Sequence, residues 1–281
     1  MKHMTKCFLT ILLCGIAFSM IAGTRCGAAQ NDTDPNAVVV KKEHGLLDWT
    51  QNYIEAIGVG VVPSGTSGAQ GKALARRGAI VDLQRNLLEF LSGVQVDGRT
   101  TMNDFMAEDR VRTEVHGMIR NIELLEGEWD GESYTMSGRV KLPQLLVVVA
   151  PSIEAKVPKR AAAPAASAPK TSGRFTGLVI DARHLSIVPS LSFRIVDEGG
   201  SEAYSLSFAD PKFYQQSGLA TYYNNLEYAK GEIRVATNPI VTKAVRIGNG
   251  GDIVIPNSAA SRMRGSSYDF RKECKVIIVC K

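Results

Sequence analysis

The chain has 281 residues, 44% of them hydrophobic, and a formal net charge of +5. That length leaves room for two domains of ordinary size with the apolar content of a globular protein, and the lack of interleaved aromatic and basic residues argues against nucleic acid as a partner. The net charge conceals an imbalance: residues 31–154 carry 12 basic and 18 acidic side chains, whereas residues 155–281 carry 18 basic and 10 acidic.

Residues 1–29 read as an export signal. Lys2 and Lys6 give a positive start, Cys7 to Gly23 an apolar stretch, and Cys26-Gly-Ala28-Ala29 the small residues where signal peptidase cuts. Cleavage at Ala28 and Ala29 starts the mature chain near Gln30, exported by a Sec-type signal to the periplasm or outer membrane. Two alternatives stand beside it: an uncleaved N-terminal anchor, and a lipoprotein on Cys26. Lipidation wants a small residue before the cysteine, and Arg25 stands there. No later stretch is long enough to span a bilayer.

Residues 45–154 are expected to form a first domain. Residues 30–44 are polar and carry no predicted element. Tyr53 to Pro63 reads as a strand, with Gly58 and Gly60 where another backbone passes close. Ser67-Gly-Ala-Gln70 matches a capping box. A helix follows to about Ser92, with Ala69, Ala73, Ile80, Leu83, Leu87 and Leu91 at helical spacing, and Gly93 ends it. Val94 to Thr101 reads as a strand and Asn103 to Gly117 as a shorter helix. Ile119–Trp129 and Ser133–Leu142 read as a hairpin about Asp130-Gly131.

Residues 155–173, rich in proline and alanine, read as a semi-extended linker. Residues 174–281 are expected to form a second domain. Phe175–Asp181 is a predicted strand, and Ser192–Val196 with Glu202–Phe208 a hairpin. Asp210-Pro211 opens a helix whose apolar face is read as Phe213, Ala220, Tyr223 and Leu226. Strands follow at Ile240–Ile247 and Asp252–Ile255. Asn257 caps a short helix to about Gly265, and Glu273–Val279 closes the sheet. Alternation puts Cys274, Val276, Ile278 and Cys280 on one face as part of a core, the two cysteines as free thiols. A bent C-terminus closing a disulfide, or a link between chains, are the alternatives. The expected fold class is α+β: two small sheet-plus-helix domains joined by a Pro/Ala-rich linker.

Few patterns carry chemistry. Gly65-Thr-Ser-Gly-Ala-Gln-Gly71-Lys72 lies between a strand and a helix, as phosphate loops do. Five residues separate its outer glycines, however, and Ala73 stands where a hydroxyl is required. His44, His116 and His184 have no second histidine or cysteine at ligand spacing, so no metal or cofactor is expected. Asp181, Arg183 and His184 gather a carboxylate, a guanidinium and an imidazole within four residues. They form a candidate interaction cluster, although such a group at a strand end is more often a local hydrogen-bond network. Glu123, Glu126, Glu128, Asp130 and Glu132 form an acidic run without the spacing of a calcium loop. No nucleophile–base pair or carboxylate dyad is recognisable. No catalytic residue is assigned, and the chain reads as non-enzymatic.

Several of these residues nevertheless match a family. Gly58-Val-Gly60, then Ala73-x-Ala75-Arg76-Arg77-x-Ala79-x-x-Asp82-x-x-Arg85-x-Leu87-Leu88-Glu89, then Gly93-Val94-x-Val96, then Ile119 into the Glu-rich hairpin resemble the lipoprotein-20 family of small outer-membrane lipoproteins. That family includes FlgP-type flagellar-associated proteins, and the stretch is similar also to the N-terminal domain of flagellar assembly protein T. The second domain looks like a segment fused to it in some envelope proteins, through Thr176-Gly-Leu-Val-Ile-Asp181-Ala-Arg183, Pro189, Asp197-Glu-Gly199, Asn238-Pro239 and Cys274-x-Val276. The resemblance implies a non-catalytic envelope protein tied to the outer membrane and to flagellar structures. Its expected partners are further copies of itself or other envelope and flagellar proteins. The alternative is a binding module for peptidoglycan, a glycan or a small ligand, with the second domain's tyrosines and the Asp181 cluster as its site.

Overall fold

The computed structural model describes residues 34–156 and 173–281. The export signal with Ala28 and Ala29, and the linker between Val157 and Ser172, lie outside the described residues. The fold is α+β.

The first half is built on two long strands, β3 (Tyr53–Val61) and β6 (Ser133–Lys141), paired antiparallel from Tyr53–Lys141 to Val61–Ser133. β1 (Val39–Lys42), β2 (Gly45–Asp48), β4 (Glu123–Leu124) and β5 (Glu128–Trp129) complete an antiparallel sheet of order β1-β2-β3-β6-β4, with β5 also on β6. The β5–β6 connection turns at Asp130-Gly131, as the sequence predicts. α1 (Gly68–Ser92) lies across one face and buries Ala75, Ala79, Leu83 and Leu87. Gly58 and Gly60 make this approach possible. A Cβ on Gly58 would sit 2.1 Å from the Leu83 nitrogen, and one on Gly60 2.1 Å from the Ala75 carbonyl.

Several local expectations change. Ser67 stands at the α1 N-cap, but its side chain makes no capping bond, so the box with Gln70 does not form. Gly93 ends α1 in the right-handed region, with φ −85°. Val94–Thr101 is a tight loop. Asp97 accepts from the amides of Arg99 (2.8 Å) and Thr100 (2.9 Å) and closes it. The single helix expected over 103–117 is two, α2 (Met102–Phe105) and α3 (Asp109–Arg120). The apolar run after β6 forms α4 (Leu142–Lys156), and β1–β2 arise from a stretch partly read as featureless.

In the second half, β7 (Gly177–Asp181), β10 (Thr221–Tyr223), β11 (Pro239–Lys243) and β14 (Val276–Val279) form an all-parallel sheet of order β10-β14-β7-β11. Both faces of its centre are covered. Leu178, Ile180, Val276 and Ile278 enter the main core, while Val179, Ile277 and Val279 pack with Tyr223, Ala229 and Val235. This accounts for their unbroken apolar runs. A second sheet joins β8 (Ile195–Asp197), β9 (Glu202–Tyr204), β12 (Arg246–Ile247) and β13 (Ile253–Ile255) in the order β12-β13-β8-β9.

Asp210 caps α5 (Pro211–Ser217) by accepting from the Lys212 amide at 2.9 Å. The helix stops early because Gly218 turns the chain at φ 70°, and Ala220 and Tyr223 join the following strand segment rather than a helical face. α6 (Leu226–Gly231) follows. The strand expected over 240–247 divides between the two sheets as β11 and β12. The Glu198 carboxylate, not the Asn257 side chain, receives an N–H at the start of α7 (Asn257–Arg264), that of Asn257 at 3.0 Å. Cys274, at φ 55°, delays the last strand to Val276.

The halves share one hydrophobic cluster, running from Leu47, Trp49 and Val96 to Leu191, Tyr222 and Cys280. Backbone bonds cross between them from Leu191 to Gln95 (3.0 Å) and from Ser192 to Val96 (2.7 Å). Thr50 links them through its hydroxyl, which accepts from the Val38 amide and donates to the Tyr222 carbonyl. Trp49 meets Tyr222 edge to face, ring centroids 5.6 Å apart. Among the described residues, no helix is long and apolar enough to cross a membrane.

Candidate functional site

Asp181 ends β7 at the carboxyl edge of the parallel sheet, where open α/β sheets usually receive ligands. Its carboxylate is occupied by Arg183, which donates from Nε at 2.9 Å and from Nη2 at 2.8 Å. These bonds hold the carboxyl below its usual range and raise the guanidinium above its own. His184 is exposed and makes no hydrogen bond within the described residues. The structure thus brings Asp181 and Arg183 together as a bidentate clamp and leaves His184 beside it.

A second polar cluster lies inside this half. Arg234 donates to the carbonyls of Cys274 (2.9 Å), Ser217 (2.8 Å) and Gly218 (2.8 Å) and to the Thr221 hydroxyl (2.9 Å). Burial pulls its guanidinium below the usual value. Four acceptors and no carboxylate make it a staple that ties the α5–β10 turn to the start of the last strand. Cys274 and Cys280 are buried free thiols, and burial pushes Cys280 up to about 11, so it stays protonated at neutral pH. Sequence spacing alone does not single out Arg234, because its partners come from two separate segments, 217–221 and Cys274.

A groove of about 620 Å³ lies between the second half of α1 and the α2–α3 segment. Leu88, Met106 and Ala107 line it with apolar surface. Arg85 and Glu89 rise on the α1 side, Arg112 and His116, one turn apart, on the α3 side. Arg85 pairs with Asp82 at 2.6 Å, and Arg112 pairs with Asp109. The volume is that of a small-ligand or short-peptide site. Arg85 and Glu89 belong to the family-like pattern of α1, but the opposing wall depends on where α3 falls.

The hairpin exposes Glu123, Glu126, Glu128, Asp130 and Glu132. The Ser133 hydroxyl, with the amides of Ser133 and Glu132, holds Asp130 down to about 2. Among the described residues, none of these five carboxylates has an ion-pair partner. In the second half the exposed Arg174, Lys212, Lys243, Arg246, Arg262 and Lys272 are likewise outside any ion pair. No group of described residues has the make-up of a metal site.

Residues 177–281, the half built on the parallel sheet, match the family described as Treponema pallidum Tp0624, second domain. No curated protein matches the chain.

Proposed function

We propose that this is an exported, non-enzymatic protein of the cell envelope, a structural or assembly factor associated with the outer membrane or flagellum, that works by charged contact. The observation that supports this reading best is the run of five exposed carboxylates on the first-half hairpin, none of them in an ion pair among the described residues, with exposed cations outside ion pairs in the second half. Charge left unpaired on a surface attracts a complementary partner and speeds its docking. The resemblance of residues 50–145 to the lipoprotein-20 family supplies the envelope and flagellar setting. A binding module for peptidoglycan or a small ligand is the second reading, favoured by the α1–α3 groove.

The test is retention of envelope proteins on the tagged mature chain, followed while salt is raised. Envelope or flagellar components that bind at low salt and elute at high salt are the expected result. Retention of peptidoglycan fragments alone, insensitive to salt, would replace the first reading with the second.

A further inference from the structure

We propose that the α1–α3 groove receives the acidic hairpin of a second copy of this chain, in a head-to-tail contact. The tip of the hairpin and the groove lie toward opposite ends of α1, while the Glu123 end of β4 runs back beside Gly138 and Leu83. Near its start, the Lys72 ammonium sits 5.6 Å from the centre of the Trp129 ring, which places the hairpin there. The groove wall begins at Arg85, thirteen residues further on. At 1.5 Å per residue that is roughly 20 Å along the axis. The hairpin cannot fold into its own groove, because β4 and β5 are held on β6 with Glu123 opposite Arg139 and Trp129 opposite Tyr134.

The chemistry is complementary. The hairpin offers exposed carboxylates beside Leu124, which is 39% exposed. The groove offers Arg85, Arg112 and His116 around an apolar floor of Leu88, Met106 and Ala107. Glu89 repels a carboxylate on its own wall and so directs the hairpin toward Arg112 and His116. Arg85 and Arg112 are held only by exposed i,i+3 pairs, which contribute little and exchange readily. Asp82 keeps a partner when Arg85 turns away, since it also accepts from the Val59 amide at 3.0 Å.

Hairpin and groove are different surfaces, so the contact is heterologous. Each added copy leaves one of each unfilled at the ends, and the contact grows into a ring or a filament. This deepens the charged-contact reading by naming one partner. It uses only first-half residues, so it can fail while docking to other envelope proteins persists.

The experiment is light scattering after size exclusion on the mature chain, residues 30–281, over a range of concentrations at low salt. Wild-type mass is expected to climb beyond a dimer. The double variant Arg85→Glu/Arg112→Glu and the double variant Glu126→Lys/Glu128→Lys are each expected to weaken association about tenfold or more. Both change exposed side chains, and unaltered circular dichroism and melting confirm that each is folded. An equal mixture of the two restores assembly, because each groove again meets a hairpin of opposite charge. A wild type that stays monomeric, variants that assemble as wild type does, or a mixture that stays dissociated would overturn the proposal.

Discussion

Asp48 is 3% exposed, and its carboxylate accepts from the amides of Thr50 (2.8 Å) and Gln51 (2.7 Å). Burial nevertheless dominates and raises its pKa above the usual 3.8. The native state then binds the proton more tightly than the unfolded chain does. Stability therefore falls as pH rises from about 3.8 through the raised value, and the loss is complete above it. Asp48→Asn keeps the accepting oxygen and removes the charge, so it should be at least as stable as wild type at neutral pH. Asp48→Ala leaves two amides without their acceptor and should lose about 1–2 kcal/mol. Urea unfolding of the three proteins at acid and neutral pH checks both. The residue scale is also where the sequence was least legible. The reach of Arg183 to Asp181 follows from their spacing, but Arg234 depends on Ser217, Gly218 and Cys274 converging from elsewhere.

Among elements, α1 on β3 decides whether the first half folds. Gly58→Ala drives a methyl into the α1 backbone and should cost about 3 kcal/mol. Gly117→Ala, within α3, meets nothing within 4 Å and should gain up to about 1 kcal/mol by stiffening the unfolded chain. Denaturant midpoints of the two variants should move in opposite directions. This packing was legible because glycines alternating in an apolar strand have few uses other than close approach. α4 was not, because its Val147-Val-Val run favours a strand locally and becomes helical by packing Leu145, Leu146 and Val149 into the core. The α5–β10 break was hidden for a related reason. The aromatic spacing fits a helix, and only the left-handed Gly218 overrides it. The parallel order of β7 and β14 was foreshadowed in their unbroken apolar runs, but strand direction is set by connections that no single run encodes. The groove was half legible: Arg85 and Glu89 stand in the α1 pattern, whereas Arg112 and His116 face them only because the expected single helix divides at Met106–Glu108.

For the molecule as a whole, the seam between halves carries buried apolar residues and backbone hydrogen bonds of its own. Thr50 bonds to Tyr222, Leu191 and Ser192 bond to Gln95 and Val96, and Asn224 donates its amide to the Asn36 carbonyl at 3.0 Å. A seam with its own core residues and its own backbone bonds does not depend on a covalent tether to find its register; a tether only raises the concentration at which the two surfaces meet. Residues 34–156 and 173–281, produced as separate polypeptides in one cell, should therefore reassemble and copurify in equal amounts through an affinity tag on one of them. Trp49 packs at this seam against Tyr222, so its fluorescence should report the joining when the two fragments are refolded together from denaturant. Each fragment alone would bare the faces that hold Leu47, Trp49, Leu191 and Tyr222, and should be insoluble. Divided in this way, the chain would act as a split reporter whose signal is its own solubility.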